Sequence, residues 1–445
     1  MRKETTRRGG SYTGHERRIE SGSRRGHRLI ALLSGRLAEG RANHSGKAAL
    51  DYDVVLTRCA QRIEASQRLY DRERAEADDL VTELRTHPPE RQILIVENHS
   101  RFHTWGVFSH LLDRTSDQML QSPSTVEHLS GLALRVADRL DTDFYRAELI
   151  EDLRARAWSY IGNAYRQRSD LAKAEEAFRT AAMHLREGTG DPVELAMLLD
   201  LQASLLRAQR RFGRAMTLLK RAHKIFLFVG DRHRAGRAIV SMEIILYCIG
   251  DPERGIPLLY RALELIDPEQ EPRLVLCVWH NLADDLAEAG RAMEARRLFI
   301  KARSLYPRFP EAVTHNRRTW LAGKISRGLG QVKEAEALFV DARQAFEADQ
   351  APYDVALVSL DLAGLYAEQG RIDELKRLAA EIVPVFSSRQ IHREALAALV
   401  YWKRAVEAET ARERIADIAN VVAEVAGFLK RVRYDPDLRF TDGPG

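Results

Sequence analysis

The residue types that carry catalysis are present, but no pattern that catalysis requires is found. No H-E-x-x-H, C-x-x-C, G-x-S-x-G or D-x-D-x-D-G motif occurs in the 445 residues. His99 and His103 stand four apart, which puts both on one helical face, but no carboxylate motif accompanies them, so we interpret them as surface or cap residues. The adjacent acids Asp284 and Asp285 are interpreted as solvated. The sequence therefore predicts a non-enzymatic protein without a metal or a cofactor.

The cysteines and the hydropathy narrow the class of protein further. Cys59, Cys248 and Cys277 are far apart and odd in number, which excludes a disulfide framework and a Cys-rich zinc site. We expect Cys248 and Cys277 to be core or groove thiols. No apolar run approaches the roughly 18 residues of a membrane span, and the cluster at 29–33 is shorter than a secretory core of about 7–15 residues. These features predict a cytoplasmic chain in a reducing compartment, with no membrane contact.

The charge is concentrated in a basic leader. Residues 1–50 contain 12 Lys and Arg against 4 Asp and Glu, whereas the other 395 residues hold 57 against 60. The leader also carries 8 of the 27 glycines and little apolar material, so we expect it to be disordered. It could touch the phosphates of a nucleic acid. It could equally be an unstructured tail, or the product of a start codon assigned too far upstream.

A long charged helix follows the leader. Apolar residues recur at three-, four- and seven-residue steps from about Asp53 to Arg85, which is typical of an amphipathic helix. The run His87-Pro88-Pro89 should end it, because proline lacks a donor and disfavours helix in the residue before it. We assign residues 51–98 to this helix and its turn. The thin apolar stripe favours packing on the next domain over a coiled coil.

The decisive feature is an internal repeat of about 40 residues. Trp158, Ile161, Gly162 and Tyr165 are followed by a second-helix signature of small, large apolar and small residues. That signature recurs at 174, 215, 255, 295, 335 and 375, which is one step of 41 and then steps of 40. Its occurrences are Ala174-Phe178-Ala181, Ala215-Leu219-Ala222, Gly255-Leu259-Ala262, Ala295-Phe299-Ala302 and Ala335-Phe339-Ala342, with Leu375-Ala379-Ile382 as a loose match.

Turn residues keep the same phase. Gly250, Gly290, Gly330 and Gly370 lie 40 residues apart, each where a first helix should stop. Glycine tolerates the left-handed conformation that closes a helix C-terminus, so these positions predict helix ends. Asp251-Pro252 is typical of an N-cap followed by proline at the first helical position.

On these residues the chain resembles the tetratricopeptide-repeat (TPR) superfamily over roughly residues 100–433. The period of about 40 is similar to that of the peptide-sensing bacterial regulators of the RRNPP group and of kinesin-light-chain-like proteins. The resemblance implies an all-α, right-handed TPR-like α-solenoid of antiparallel helix pairs. We assign residues 99–390 to the repeats, 391–433 to a capping helix pair and 434–445 to a tail, since terminal repeats are atypical.

The resemblance also implies a concave groove that could bind a peptide or a partner protein. Asparagine can hold an extended peptide and arginine can fork onto its carboxylates, and we expect these donors to point inward rather than into neighbouring acids. The alternatives are exposed arginines that only solvate a helix, a frame in error by one position, and a contact on the convex face or at an end of the array. The positions that face the groove are Arg156, Tyr160, Asn163, Arg166, Gln167, Arg207, Arg237, Ser241, His280, Asn281, Asp284, Arg317, Trp320, Lys324 and Arg327.

Two hypotheses for function follow. In the first, the repeats hold a peptide or protein segment in the groove, as a scaffold or a regulatory sensor. In the second, the leader binds nucleic acid and the repeats sense a signal, so that the protein is a transcriptional regulator. Nucleic acid is a possible partner only through residues 1–50, where the excess of basic residues lies.

Overall fold

Apolar residues at three- and four-residue steps form helices in every part of the chain that the structure describes. The structure is a computed structural model that describes residues 46–118, 122–387 and 415–432, together with Trp402 and Val406. The described residues lie in helices and turns, with no strand among them. They divide into two compact units, Met1–Leu198 and Leu199–Gly445, and the boundary falls inside one helix.

The helices are numbered in chain order over the described residues. The first unit contains α1 (Gly46–Arg85), α2 (Pro89–Asn98), a 3₁₀ turn (Ser100–Phe102), α3 (Trp105–Gln118), α4 (Pro123–Asp138), α5 (Ala147–Gln167) and α6 (Leu171–Glu187). The boundary lies within α7 (Pro192–Ala208). The second unit continues with α8 (Phe212–Phe228), α9 (Arg232–Cys248), α10 (Pro252–Leu265), α11 (Pro272–Glu288), α12 (Ala292–Ala302), a 3₁₀ turn (Tyr306–Arg308), α13 (Ala312–Gly328), α14 (Val332–Ala348), α15 (Pro352–Glu368), α16 (Ile372–Ser387) and α17 (Ile415–Val432).

The long helix α1 packs on the first helix pair, as its apolar stripe predicts. It contacts α3, and a buried carboxylate fixes the contact: Tyr145 Oη donates to Glu73 Oε1 at 2.6 Å, and the Gly106 N–H donates to Glu73 Oε2 at 3.1 Å. A Cβ at Gly106 would lie 2.3 Å from the Glu73 carbonyl oxygen, so only glycine permits this approach. The side chain of Glu73 therefore sets where α1 lies on α3.

Each repeat is a pair of antiparallel helices that approach closely at one small residue. In the first unit, a Cβ added to Gly162 on α5 would lie 3.2 Å from the Phe178 ring on α6. In the second unit, a Cβ added to Gly323 on α13 would lie 2.7 Å from the Phe339 ring on α14. Both phenylalanines are buried. The periodicity thus correctly predicted helix pairs in which a small residue accommodates an aromatic ring.

The turns confirm the phase of the glycines. Gly290 has a φ of +74°, its N–H donates to the Ala287 carbonyl at 3.1 Å, and the Arg291 N–H donates to the Leu286 carbonyl at 2.8 Å. This is the Schellman closure of a helix C-terminus. Among the described residues, the left-handed residues are spaced by about 20 or about 40, so that most first helices and some second helices are followed by such a residue. They are Ser169, Gly190, Arg210, Gly230, Gly250, Gly290, Gly330, Gln350 and Gly370.

The structure differs from two local expectations, and α12 ends earlier than its apolar pattern extends. His99 is in extended conformation after α2, and His103 follows the 3₁₀ turn, so the two imidazoles do not share a helical face. Helix α12 stops at Ala302 and a 3₁₀ turn replaces its last part. Helix α1 begins at Gly46, so the last five residues assigned to the leader are helical.

The remaining leader, the tail and most of the first capping helix lie outside the described residues. The second capping helix is α17, which packs on α15 with Trp402 and Val406 in the same core. No helix within the described residues is long and apolar enough to cross a membrane.

We expect Gln350→Gly to raise the free energy of unfolding by about 0.5–1 kcal/mol. Gln350 is exposed with a φ of +54°, a region that costs an L-residue about 1–2 kcal/mol and costs glycine little. Chemical denaturation of the full chain measures the change. The reverse substitution Gly330→Gln, at a φ of +73°, should be destabilising, and a destabilised Gln350→Gly variant would contradict the reading.

We expect Gly323→Ala to lower the free energy of unfolding by about 1–3 kcal/mol, because its methyl group would overpack the Phe339 ring. Gly213→Ala is the matched control, since a Cβ there meets nothing within 4 Å and α8 gains up to about 1 kcal/mol of helix propensity. The same denaturation measurement compares the two variants. Equal changes in the free energy of unfolding for Gly323→Ala and Gly213→Ala would exclude a specific close approach at Gly323.

Candidate binding surface on the first helices

The candidate residues lie on the first helix of each pair, some on its polar face and others, such as Asn163 and Trp320, buried. On α11, Leu282 and Leu286 are fully buried, whereas Asn281, Asp284 and Glu288 follow at three- and four-residue steps on a partly exposed face. The helical period that buries the apolar residues therefore also aligns the polar ones. We call the polar faces of α9, α11, α13 and α15, all in the second unit, the first-helix surface.

In the first unit, the guanidinium of Arg156 is paired with a carboxylate. Its Nε donates to Glu194 Oε2 at 3.0 Å and its Nη2 to Glu194 Oε1, a bidentate ion pair that spans one repeat. Burial alone would lower the pKa of Arg156, but the Glu194 carboxylate outweighs burial and the pKa is raised. Arg156 thus joins successive first helices.

The other first-unit candidates are partly or fully buried. Asn163 is buried, and its Oδ1 accepts a hydrogen bond from Arg166 Nε at 2.9 Å. Tyr160 is half-buried and packs against the core of the first unit. Gln167 is half-buried at the end of α5. Asn163 is therefore placed to orient Arg166.

In the second unit, Lys324 is the most enclosed candidate. Its side chain is 8% exposed, and its ammonium lies 2.8 Å from Asp284 Oδ1 and 2.8 Å from Glu288 Oε1. The ammonium also lies 4.6 Å from the centre of the Trp320 ring, within cation–π range. Burial would lower the pKa of Lys324, but the two carboxylates raise it well above its usual value.

The pairing continues toward α15. Trp320 Nε1 donates to Asp361 Oδ2 at 2.7 Å, and Arg327 donates to Glu368 through Nη2 and Nε. A Cβ at Gly364 would lie 2.8 Å from Arg327 Nη2, so the guanidinium lies in a space that glycine leaves open. We call this chain of side chains the charge ladder, which runs from α11 through α13 to α15. Its members are Asp284, Glu288, Trp320, Lys324, Arg327, Asp361 and Glu368.

Nearer the start of the second unit, the candidates again have partners. Arg237 Nη1 lies 2.6 Å from Glu271 Oε2. Asn281 Nδ2 donates to Glu243 Oε2 at 3.0 Å.

His280 and Tyr306 form a further contact, with His280 Nδ1 2.9 Å from Tyr306 Oη. Burial lowers the pKa of His280 to about 4, so its imidazole is neutral at physiological pH.

The surroundings of Arg317 and Arg207 differ from those of the other candidate residues. Arg317 is exposed and makes no hydrogen bond or ion pair with any residue that the structure describes. Arg207 is half-buried and lies beside the thiol of Cys248, whose pKa burial raises to about 11. Cys248 is fully buried, as expected of a core thiol.

Two expectations from the sequence are wrong. The donors of Arg156, Lys324 and Arg327 do not point away from neighbouring acids; like Arg237 and Asn281, they are held by carboxylates one repeat away. Asp285 is not solvated either, because it is 1% exposed. Whether the candidate residues contact a ligand stays a prediction. In the part of the chain that the structure describes, no three His, Cys, Asp or Glu side chains are grouped to hold a metal ion.

The sequence contains a signal for the carboxylates that pair with the candidate residues. Lys324 and Asp284 are 40 residues apart, Trp320 and Asp361 are 41, and Arg156 and Glu194 are 38. These separations are close to the repeat period, so the partners lie side by side on adjacent first helices. Comparing the charge at each position with the charge one repeat away would have found them.

We expect Lys324→Met to lower the free energy of unfolding by about 3–5 kcal/mol, because it leaves Asp284 and Glu288 enclosed without their cation. Arg317→Met is the matched control: it removes an exposed cation on the same helix and should change the free energy by at most about 0.5 kcal/mol. Thermal and chemical denaturation distinguish them. A Lys324→Met variant as stable as the control would show that the ladder contributes nothing to the fold.

No family model matches the chain, and no curated protein matches its sequence. Among solved structures, it is similar to a Rap protein complexed with competence and sporulation factor, at 13% identity and a TM-score of 0.49, over 74% of this chain and 97% of that one. A STAND protein with a tetratricopeptide repeat sensor, PH0952 from Pyrococcus horikoshii, gives 15% identity and a TM-score of 0.49, over 75% of this chain and 55% of that one. NprR in complex with its cognate peptide NprX gives 16% identity and a TM-score of 0.45, over 74% and 97%.

These likenesses concern the fold, and the repeat geometry described above stands without them. Helix pairs with one small crossing residue, closed by left-handed turns at a fixed interval, are the tetratricopeptide arrangement that the periodicity predicts. Over the residues that the structure describes, the chain is all-α and is built from TPR-like helical repeats.

Proposed function

We propose that the protein is a non-enzymatic interaction module, a scaffold or regulatory sensor that binds a peptide or a segment of a partner protein on its first-helix surface. The observation that carries the proposal is the charge ladder, in which charged side chains on α11, α13 and α15 pair from one first helix to the next. Such a surface offers a repeated set of hydrogen-bond donors and acceptors to an extended chain.

The residues of the first-helix surface differ in whether a ligand carboxylate could replace their acidic partners. The side chains of Lys324 and Trp320 are buried and form the fixed base of this surface. The ion pairs Arg237–Glu271 and Arg327–Glu368 are partly exposed, and exposed pairs contribute only about 0–1 kcal/mol. Replacing Glu271 or Glu368 with a carboxylate from a ligand therefore costs little.

Arg317 provides a first contact. It is exposed near the start of α13, on the helix that carries Trp320, Lys324 and Arg327. A guanidinium without an internal partner can fork onto a ligand carboxylate without breaking an existing ion pair. The arrangement supports a ligand segment with at least one acidic residue.

The second hypothesis keeps its basis in the sequence. The excess of Lys and Arg lies in residues 1–50, most of which fall outside the described residues. A nucleic-acid-linked role therefore rests on the charge of the leader alone, and we place it second.

A displayed library of random peptides tests the proposal on the full chain. We expect the selected peptides to bind about a hundredfold more weakly to an Arg317→Ala, Arg327→Ala variant, as the loss of two charged contacts predicts. Fluorescence anisotropy gives the dissociation constants, and circular dichroism checks that the helix content is unchanged.

The control is Arg296→Ala with Arg297→Ala, which removes the same charge from exposed positions on the second helix α12. Equal weakening by both variants would reduce the effect to net charge. A library that yields no binding peptide, or peptides that bind both variants as tightly as the unmodified chain, would refute the proposal that the first-helix surface binds a peptide.

A further inference from the structure

The third repeat, which is α9–α10 when the repeats are counted from α5–α6, departs from the common pattern where its two helices cross. The crossing position of each first helix carries a small residue, except that α9 carries Glu243. Its equivalents at the repeat spacing are Gly162, Ala203, Ala283, Gly323 and Ala363. A long acid therefore occupies the place where the helices approach most closely.

Two further departures accompany Glu243. The facing position on α10 is Gly255, where the repeats on either side have Ala215 and Ala295. On α11, Asp285 occupies a core position that is otherwise aliphatic, with Leu205, Ile245, Ile325 and Leu365 as its equivalents. Those four equivalents are buried, so the fold itself is satisfied by an apolar side chain there.

The three departures meet at one point. A Cβ added to Gly255 would lie 2.8 Å from Asp285 Oδ2 and 3.2 Å from Glu243 Cγ. The two acids thus share the space that the methyl group of an alanine would fill. Glycine on α10 is what allows an acid from α9 and an acid from α11 to enter the same site.

Both carboxyl groups are enclosed. Glu243 and Asp285 are each 1% exposed. Glu243 Oε2 accepts a hydrogen bond from Asn281, whereas neither oxygen of Asp285 has a hydrogen-bond partner among the residues that the structure describes. A buried carboxylate without a donor is costly, and a buried carboxyl group that keeps its proton avoids that cost.

The surrounding charges do not supply a counter-ion. Asp284 and Glu288 on α11 add negative charge, and Lys324 from α13, the cation whose charge acts on Asp285 among the described residues, is already bound by those two acids. The charges of Arg207 and Arg210 act on the Cys248 thiol. The Cys248 thiol on α9 is buried and neutral, and α10 contributes Gly255. Ionising both members of the pair would therefore place two like charges together in the core.

The direction of titration agrees with this geometry. Burial raises the pKa of Glu243 to about 7, and burial together with the Glu243 charge raises the pKa of Asp285 to about 9. At neutral pH the folded pair holds at least one proton.

We propose that Glu243 and Asp285 form a proton-operated latch between the third and fourth repeats. One proton held by the pair keeps α9 and α10 packed on α11. When the O–H bond of that carboxyl group breaks and the proton passes to water or buffer, repulsion between the two carboxylates separates α11 from α9 and α10. The second unit would then loosen as the pH rises and tighten again on reprotonation.

The direction in which stability changes with pH follows from the linkage between protonation and folding. Because the folded pKa values lie above those of the unfolded chain, the contribution of the pair to stability is complete below about pH 4 and falls progressively as the pH rises from there to the folded values of about 7 and about 9. Asp285→Asn keeps the shape and removes the titration. Relative to this variant, the unfolding equilibrium constant of the unmodified chain should rise about tenfold per pH unit between about pH 5 and pH 8.

Urea denaturation of the full chain and of Asp285→Asn across that pH range measures the ratio of their unfolding equilibrium constants. Asp251→Asn is the control, an acid in the same repeat whose ion pair with Arg254 is largely exposed, and its ratio to the unmodified chain should be flat. A flat ratio for Asp285→Asn would overturn the latch.

Hydrogen–deuterium exchange of the unmodified chain tests the location and needs no variant to fold. Peptides from α9, α10 and α11 should lose protection between about pH 6 and pH 8.5 by at least about tenfold more than peptides from α15, once intrinsic rates are corrected. Glu243→Gln should abolish that difference. Uniform loss across the second unit, or no loss in α9–α11, would refute a local latch.

Discussion

The structure depends on how closely two antiparallel helices can approach. In most pairs one helix carries a small residue at a single position, so that an aromatic or aliphatic residue of the other can fill the space. Gly162 with Phe178 and Gly323 with Phe339 are the tightest cases, and alanine serves at most other repeats. Interiors are packed at crystal-like density, so this contact fixes the spacing of the helices within narrow limits. The alignment of the polar faces on adjacent repeats follows from it.

Residues whose role is local could be predicted from the sequence. Gly290 must be left-handed because the chain has to close one helix and begin the next within a few residues, and the sequence repeats this need at a fixed interval. Small and aromatic residues such as Gly323 and Phe339 carry the same kind of information. The shortened α12 was not predicted, because its apolar pattern continues past Ala302 into the 3₁₀ turn at Tyr306.

Partner choice among polar side chains could not be predicted in the same way. Lys324 has many staggered conformations, and its position on the helix shows only that it leaves the core. Its two acid partners lie on another helix, 36 and 40 residues away. The candidate surface was thus located by the helical period, while its internal pairing depends on tertiary contacts between repeats.

Gly255 has a consequence for how this sequence can change. The alanine found in the neighbouring repeats would place a methyl group against both Glu243 and Asp285, so it fits only after those acids have become small or aliphatic. Conversely, an acid on α9 could enter the crossing only after glycine was present on α10. The three positions are therefore epistatic: substitutions among them are accessible in some orders and blocked in others, and a single reversion toward the repeat pattern is a poor guide to what the combined reversion does.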